Sequence, residues 1–201
     1  MKLYTILILI FCYYSTAFSQ NISISGKIET ANQQAICDAS VQLFDDNGTL
    51  ISSVNTDQTG TFSHDNIPSD QTYILLVEKD GNILNGLSTF DLVLMEKHLM
   101  GETLIEDAFA LYATDVDDSN SLSIFDMIAV RKYILTIDES RPLRNWYFFN
   151  SDANVQDALN PWATNDLLIR RFENLSTSIT NADFVGYKTA DINSSAISCE
   201  N

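Results

Sequence analysis

Histidine and cysteine are scarce in this chain of 201 residues, which has two of the first and three of the second. No Cys or His cluster occurs along it, which excludes a zinc site built on nitrogen and sulfur ligands. His64 and His98 stand far apart, and no Ser-His-Asp or Cys-His set accompanies either. No phosphate loop or dinucleotide fingerprint is present. Basic residues are outnumbered, 11 against 27 acidic ones, for a net charge of −16. Such a chain repels the phosphates of nucleic acid, whereas its acidity suits an exported protein that binds divalent cations. Disorder is not indicated, because 45% of the residues are hydrophobic and recur at regular spacings.

The longest apolar run lies at the very start. Lys2 supplies a positive n-region, residues 3–18 are apolar, and Ala17-Phe18-Ser19 places small residues at the two positions a signal peptidase inspects. The strictly apolar part is shorter than a bilayer span. Bulky Phe11 stands where a small residue precedes a lipidated cysteine, which argues against Cys12 as a lipid anchor. Residues 1–19 therefore fit a cleaved signal peptide, and the mature chain is expected outside the cell or on its surface, with no transmembrane helix. Cys37 and Cys199 survive processing. Export permits a disulfide between them, two separate thiols are equally open, and geometry decides.

From Ile22 to Lys79 the hydrophobic pattern has period two. Ile22, Ile24 and Ile28 alternate with polar residues, as do Val41 with Leu43, and Tyr73 with Leu75 and Val77. Turn signals at Asp45-Asp46-Asn47-Gly48, Asp57-Gln58-Thr59-Gly60 and Pro68-Ser69-Asp70 separate the runs. Short strands with regular turns predict an antiparallel β-sandwich. The succession Ile24-Ser25-Gly26-Lys27-Ile28, Ala39-Ser40-Val41-Gln42-Leu43, Gly60-Thr61-Phe62 and Asn66-Ile67-Pro68 resembles the carboxypeptidase regulatory-like, or transthyretin-like, module of bacterial surface proteins. That resemblance implies a spacer or adhesive unit over residues 20–79, without catalytic residues of its own.

After Asp80 the period shifts toward helix. Asp91-Leu92-Val93-Leu94-Met95-Glu96-Lys97-His98-Leu99-Met100 ends at Gly101, a fitting stop. Asp126-Met127-Ile128-Ala129-Val130-Arg131-Lys132-Tyr133-Ile134-Leu135 repeats the design. The two helices should pack around Leu92, Leu99, Ile128 and Ile134, and His98 should lie on the surface. Beyond Pro142, residues 145–149 suggest a buried strand, residues 165–172 a short helix and residues 184–188 a final strand.

Ahead of the second helix runs Asp115-Val116-Asp117-Asp118-Ser119-Asn120-Ser121-Leu122-Ser123-Ile124-Phe125-Asp126. A hard cation needs six or more oxygens converging on one point, and a twelve-residue loop supplies them from positions one, three, five, seven, nine and twelve. Those positions hold Asp115, Asp117, Ser119, Ser121, Ser123 and Asp126, with Ser121 contributing its backbone carbonyl. Leu87-Ser88-Thr89-Phe90-Asp91-Leu92 matches Leu122-Ser123-Ile124-Phe125-Asp126-Met127 at four of six positions, 35 residues earlier. A duplicated loop-helix unit is expected to bury the apolar face of one copy against the other.

Here the chain resembles type I dockerins, in particular the dockerin-like modules of secreted Bacteroidota proteins, which carry two loop-helix repeats with Asp at the twelfth position. Asn120 stands where a regular EF-hand has Gly, and Asp126 where it has Glu. The resemblance implies bound calcium and an α+β chain: an N-terminal antiparallel β-sandwich followed, over residues 80–201, by a mainly α domain with duplicated calcium loop-helix units. It also implies a partner, a cohesin-like or other surface protein, met through Thr89, Phe90, Ile124 and Phe125, with Arg131 and Lys132 on the second helix. Burial in a core is nevertheless the ordinary expectation for the two phenylalanines.

In its contiguous register the first repeat is defective, because Asp80 and Asn82 are followed by Leu84 at position five. Thr189-Ala190-Asp191-Ile192-Asn193-Ser194-Ser195 parallels Ala113-Thr114-Asp115-Val116-Asp117-Asp118-Ser119 and is the front half of a loop. Asn85-Gly86-Leu87-Ser88-Thr89-Phe90-Asp91 is a back half. A split loop would bring Asp191, Asn193 and Ser195 against Gly86, Ser88 and Asp91; the plain alternative is a solvated tail, since such runs are also ordinary turns. The sequence as a whole fits a secreted, non-catalytic calcium-binding protein that docks other proteins, with a place in a polysaccharide-degrading assembly open to it. The alternative is a carbohydrate-binding or adhesive protein using Trp146, Tyr147, Phe148, Phe149 and Trp162, whose plain reading is core packing.

Overall fold

Alternation of buried isoleucines with polar residues builds the first strand, β1 (Asn21–Thr30), and the same period continues through β2 (Ser40–Asp45), β3 (Leu50–Asn55), β4 (Thr61–Pro68) and β5 (Gln71–Glu78). Three helices follow, α1 (Thr89–Leu99), α2 (Ala108–Tyr112) and α3 (Ile124–Ile134), and then β6 (Trp146–Asn150), β7 (Ile169–Leu175) and β8 (Phe184–Lys188). The structure is a computed structural model and describes residues 21–137 and 143–199. The expected signal segment 1–19 lies outside the described residues. Among those described, no helix is long and apolar enough to cross a membrane.

Among the described residues, eight strands form two four-stranded sheets, ordered β4-β1-β8-β6 and β3-β2-β5-β7. The molecule is thus mainly β, and the helices form an insertion between β5 and β6. This differs from the expected division, in which residues 80–201 make a mainly α unit. Residues 21–78 by themselves would leave β1 paired only with β4, and a two-stranded ribbon covers little core. β8 completes that sheet by pairing in parallel with β1, and β7 extends the other by pairing with β5. Ile24, Ile28, Val41, Leu43, Tyr73, Leu75, Phe148 and Phe184 meet in the interior between the sheets.

Residues 165–172, expected as a helix, instead lead into β7. Arg170 and Arg171 make ion pairs with Asp152 and Asp46, and charges of this kind suit a sheet edge. The strand expected at 145–149 is β6, and its apolar run is continuous because both faces are covered. Trp146 and Phe148 face the sandwich interior, while Tyr147 and Phe149 face a second cluster under α2, where Phe109 stacks on Phe149 with centroids 4.4 Å apart. Asp107 caps α2 and accepts the Tyr187 hydroxyl at 2.6 Å, which ties the short helix to β8.

α1 and α3 pack on one another around Met95 and Val130, both fully buried and 35 positions apart like the repeat itself. Leu92 and Ile134 join this cluster as expected, but Leu99 and Ile128 are exposed. The buried stripe follows the inward Asp at the third helical position, so it runs through Asp91 and Met95 and through Asp126, Val130 and Tyr133. His98 is half-buried rather than fully on the surface, and its Nδ1 accepts the Ile105 N–H at 2.9 Å.

His64 is buried on β4, and its Nδ1 lies 2.9 Å from the Ser52 hydroxyl. Burial holds the ring below the usual histidine pKa. The unfolded chain takes up a proton near pH 6.5 while the folded ring resists it. Its contribution to stability is therefore complete above that pH and lost as the pH falls below it. Melts of the wild type and of His64→Gln from about pH 7 to about pH 5 should show the wild type losing stability relative to the variant. Parallel curves would refute the assignment.

Candidate metal centre

The loop before α3 is organised by two carboxylates. Asp115 accepts the Ser119 N–H at 2.9 Å on Oδ1 and the Asn120 N–H at 2.8 Å on Oδ2, which wraps the chain around its first residue. Asp126 Oδ1 accepts the Val116 N–H at 2.9 Å and the Asp117 N–H at 3.2 Å, which pins the loop's start to the helix. Its Oδ2 accepts the Ser123 N–H at 2.8 Å and the Ser123 hydroxyl at 2.9 Å. Ser123 in turn caps α3 by accepting the Phe125 N–H, completing a capping box. Its hydroxyl thus joins the helix end to Asp126 and helps to aim that carboxylate. Asp118 and Asn120 take left-handed backbone, at φ 58° and 60°, which short polar residues tolerate.

The outcome is a convergence of oxygens. One carboxylate oxygen from each of Asp115, Asp117 and Asp126 lies within 4.8 Å of the others. The Ser119 hydroxyl donates to the Ser121 carbonyl at 3.2 Å, so that carbonyl turns toward the same loop. Burial pushes the Asp115 carboxyl above the usual carboxylate range, the Ser119 and Asn120 N–H donors pull it back, and the charge on Asp126 raises it again. Carboxylates gathered this way are repulsive alone, and a cation among them relieves the strain.

The second half-motif behaves in the same way although its pieces are remote in sequence. Asp191 Oδ1 accepts the Ser195 N–H at 3.0 Å, and Oδ2 accepts the Ala196 N–H at 2.8 Å. The Ile192 N–H donates to Asp91 Oδ1 at 3.0 Å, as Val116 does to Asp126. The Ser195 hydroxyl donates to the Gly86 carbonyl at 3.0 Å, as Ser119 does to Ser121. Ser88 caps α1 and donates to Asp91 as Ser123 does for Asp126. Ser194 has φ 54°, matching Asp118. Burial likewise raises Asp191, partly offset by the Ser195 and Ala196 N–H groups and reinforced by Asp91. Asn193, at the place of Asp117, is exposed on the loop. The segment is thus a packed half-loop and no solvated tail.

Leu84 turns into the helical core and Asp80 is exposed, so the contiguous first register has no oxygen at its fifth position. Asn85 was not singled out by the spacing, yet it binds the tail in both directions. Its Oδ1 accepts the Ile197 N–H at 2.9 Å and its Nδ2 donates to the Ile197 carbonyl at 2.8 Å. No sequence signal marks it beyond its place beside Gly86.

The first turns of α1 and α3 carry exposed apolar residues. Phe90 is 55% exposed, Ile124 62% and Phe125 68%, against the burial expected of the phenylalanines. Their side chains precede the inward Asp of each helix, so the helical turn directs them outward. Between α1 and α3 runs a groove of about 530 Å³ lined by Thr89, Leu92, Val93, Ile124 and Ile128, with Glu96 and Arg131 also on its lining. Lys132 is exposed on the same helix. The aromatic run Trp146, Tyr147, Phe148 and Phe149 is buried, which leaves no flat face of these rings for a sugar. Trp162, half-buried, stacks on Tyr112.

The fold and site together define an eight-stranded sandwich carrying an inserted pair of loop-helix units. No family model matches the chain, and no curated protein does. Among solved structures it is similar, at 12% identity and a TM-score of 0.27, to a C-terminal fragment of the pilus adhesin SpaC from Lactobacillus rhamnosus GG. The similarity covers 32% of this chain and 25% of that one.

Gly86 has φ +80°, and a Cβ there would sit 2.6 Å from the Asp191 carboxylate and 2.7 Å from Ala196 Cα. Gly48, at φ +77°, has open space around it. Gly48→Ala should cost about 1 kcal/mol from backbone strain alone. Gly86→Ala should cost about 2–4 kcal/mol, because the tail must also be displaced. Denaturant titration separates the two, and equal costs would refute the close approach.

Proposed function

We propose that this chain is an exported, non-catalytic protein that binds calcium in its paired loops and uses the face above them to dock a second protein. The observation that carries the reading is the exposure of Phe90, Ile124 and Phe125, in the first turns of the two helices that follow the oxygen-lined loops. An apolar patch of this kind on an otherwise acidic chain is costly to keep in water unless something covers it. The contiguous loop offers only oxygen donors, and hard oxygen ligands favour calcium or magnesium over zinc or copper. A flexible loop with carbonyl and hydroxyl ligands fits the larger ion better than the strict octahedron of magnesium. Asp115, Asp117, Ser119, the Ser121 carbonyl and Asp126 would hold the first ion. Asp191, Asn193, Ser195, the Gly86 carbonyl and Asp91 would hold the second.

The chemistry supplied by calcium here is structural. It neutralises buried carboxylates and fixes the helices whose first turns present the docking face. The resemblance to dockerin-like modules supports a cohesin-like or other surface protein as partner, in an extracellular assembly that includes polysaccharide-degrading ones. The sandwich is then the body that the docking unit attaches.

Calcium at about one hundred times its dissociation constant should stabilise the fold by about 2.7 kcal/mol per site, raising the melting midpoint by about 5–10 °C. Asp115→Ala with Asp126→Ala should remove much of the shift, while Asp80→Ala should leave it whole. An unchanged midpoint on adding calcium or chelator would sink the metal assignment. Phe90→Ala with Phe125→Ala should preserve the calcium response within about 0.5 kcal/mol. The same pair should abolish capture of a calcium-dependent partner from the secreted and surface proteins of the source organism. Retained capture would place the interface elsewhere.

A further inference from the structure

Cys37, on the connection between β1 and β2, is bonded to Cys199 at the end of the tail, with Cα atoms 5.0 Å apart and 162 residues between them in sequence. The front half of the split loop lies between this bridge and β8. At its upstream end the Thr189 N–H donates to the Asn145 carbonyl and the Ala190 N–H to the Ala113 carbonyl, which holds Asp191 near the sandwich. Downstream the segment is held by Asn85 on Ile197 and by the disulfide. Without the bridge, the covalent link from residues 192–199 back to the described sheets runs through β8. Asn193 and Ser195 lie in that stretch and are exposed.

We propose that the Cys37–Cys199 bridge is a redox lock on the split loop, strengthening calcium binding at Asp91 and Asp191 while leaving the Asp115, Asp117 and Asp126 site unaffected. The inference rests on the calcium reading above and deepens it for one of the two sites. A contiguous loop carries its ligands in twelve consecutive residues and gains nothing from a distant crosslink. The split loop must hold Ile192 against Asp91, 101 residues away, and a second anchor lowers the entropy lost when the tail orders.

Cys37 is buried and Cys199 half-buried, so exchange begins at Cys199 Sγ. A thiolate of a dithiol reductant attacks that sulfur, the Cys37–Cys199 bond breaks, and Cys37 leaves as a thiolate that takes a proton. The reductant's second thiol then displaces Cys199, which is protonated in turn. Two electrons and two protons pass to the pair, and the reductant ends as a disulfide. Oxidation is the reverse exchange with a disulfide-bearing oxidant. Linkage makes the effect reciprocal, so calcium in the split loop resists reduction by the factor with which the bridge tightens calcium.

Calorimetric calcium titration of the Asp115→Ala, Asp126→Ala variant, which keeps only the split loop, tests the proposal. Affinity should fall about tenfold when dithiothreitol reduces the bridge, and Cys37→Ser with Cys199→Ser should reproduce the loss. Asp91→Ala with Asp191→Ala, which keeps the contiguous loop, should bind calcium equally in both redox states. A readout free of substitutions is the reduction potential of the wild-type bridge. A tenfold linkage lowers it by about 30 mV in calcium relative to chelator. Equal split-loop affinity in both redox states, or a potential indifferent to calcium, overturns the proposal alone. Absence of any calcium heat from the oxidised wild type overturns the calcium reading and the lock together.

Discussion

β8 pairs in parallel with β1, and parallel neighbours demand a crossover instead of a hairpin. In this chain the intervening segment contains the helical insertion and the return strands. The register Ile28 to Phe184 places the end of β8 beside the helices, so the residues after Lys188 emerge where α1 begins. That is why Asp191 reaches Asp91. The same pairing buries β8 at the centre of its sheet, so the strand delivering the tail is among the better-held parts of the molecule. A half-loop presented by a rigid strand loses less entropy on ordering than one presented by a free end.

The second constraint is electrostatic. Asp91 and Asp126 are wholly buried, yet each carboxylate is surrounded by N–H and hydroxyl donors from its own cap and from a loop. Charge-assisted bonds of this number stabilise a buried carboxylate without a basic partner. Helix, cap and loop are thereby one unit: the residue that would bind the ion also fixes the helix start. Since the aspartate points inward at the third helical position, the preceding phenylalanine must point outward. Loop chemistry and the exposed apolar face are consequences of a single rotation of the helix about its axis.

The strands up to residue 79, the repeat of 35 residues and the half-loop at Asp191 were all legible, because each depends on local spacing. Alternation at Ile22, Ile24 and Ile28 reports burial directly. The sheet order was not legible, since nothing local tells β8 to pair with β1 or β7 to extend β5. The helix expected at 165–172 gave way to β7, whose Arg170 and Arg171 find their partners, Asp152 and Asp46, far away in sequence. Leu99 and Ile128 were misplaced because the helix face was chosen by hydrophobicity. The carboxylates actually choose it, and a buried charge with several donors outweighs one exposed aliphatic side chain. The exposure of Phe90 and Phe125 follows from the same cause.

A loop cut in two at its seventh position need not lose its geometry, because the bonds that shape it are mostly from the first and last carboxylates. Asp115 and Asp126 organise one loop, and Asp191 and Asp91 organise the other, with the same donors at nearly the same distances. What differs is charge. The contiguous loop gathers three carboxylates, whereas the split loop has two, with Asn193 in the place of Asp117. Cation affinity in such loops rises with ligand charge and with rigidity. On charge, a cation would therefore be held more tightly in the contiguous loop. On rigidity the split loop depends on how firmly its halves are held together by the sandwich. On the proposed calcium reading, the divided loop is thus the one whose occupancy the rest of the fold would adjust, and the contiguous one would be set by its own twelve residues.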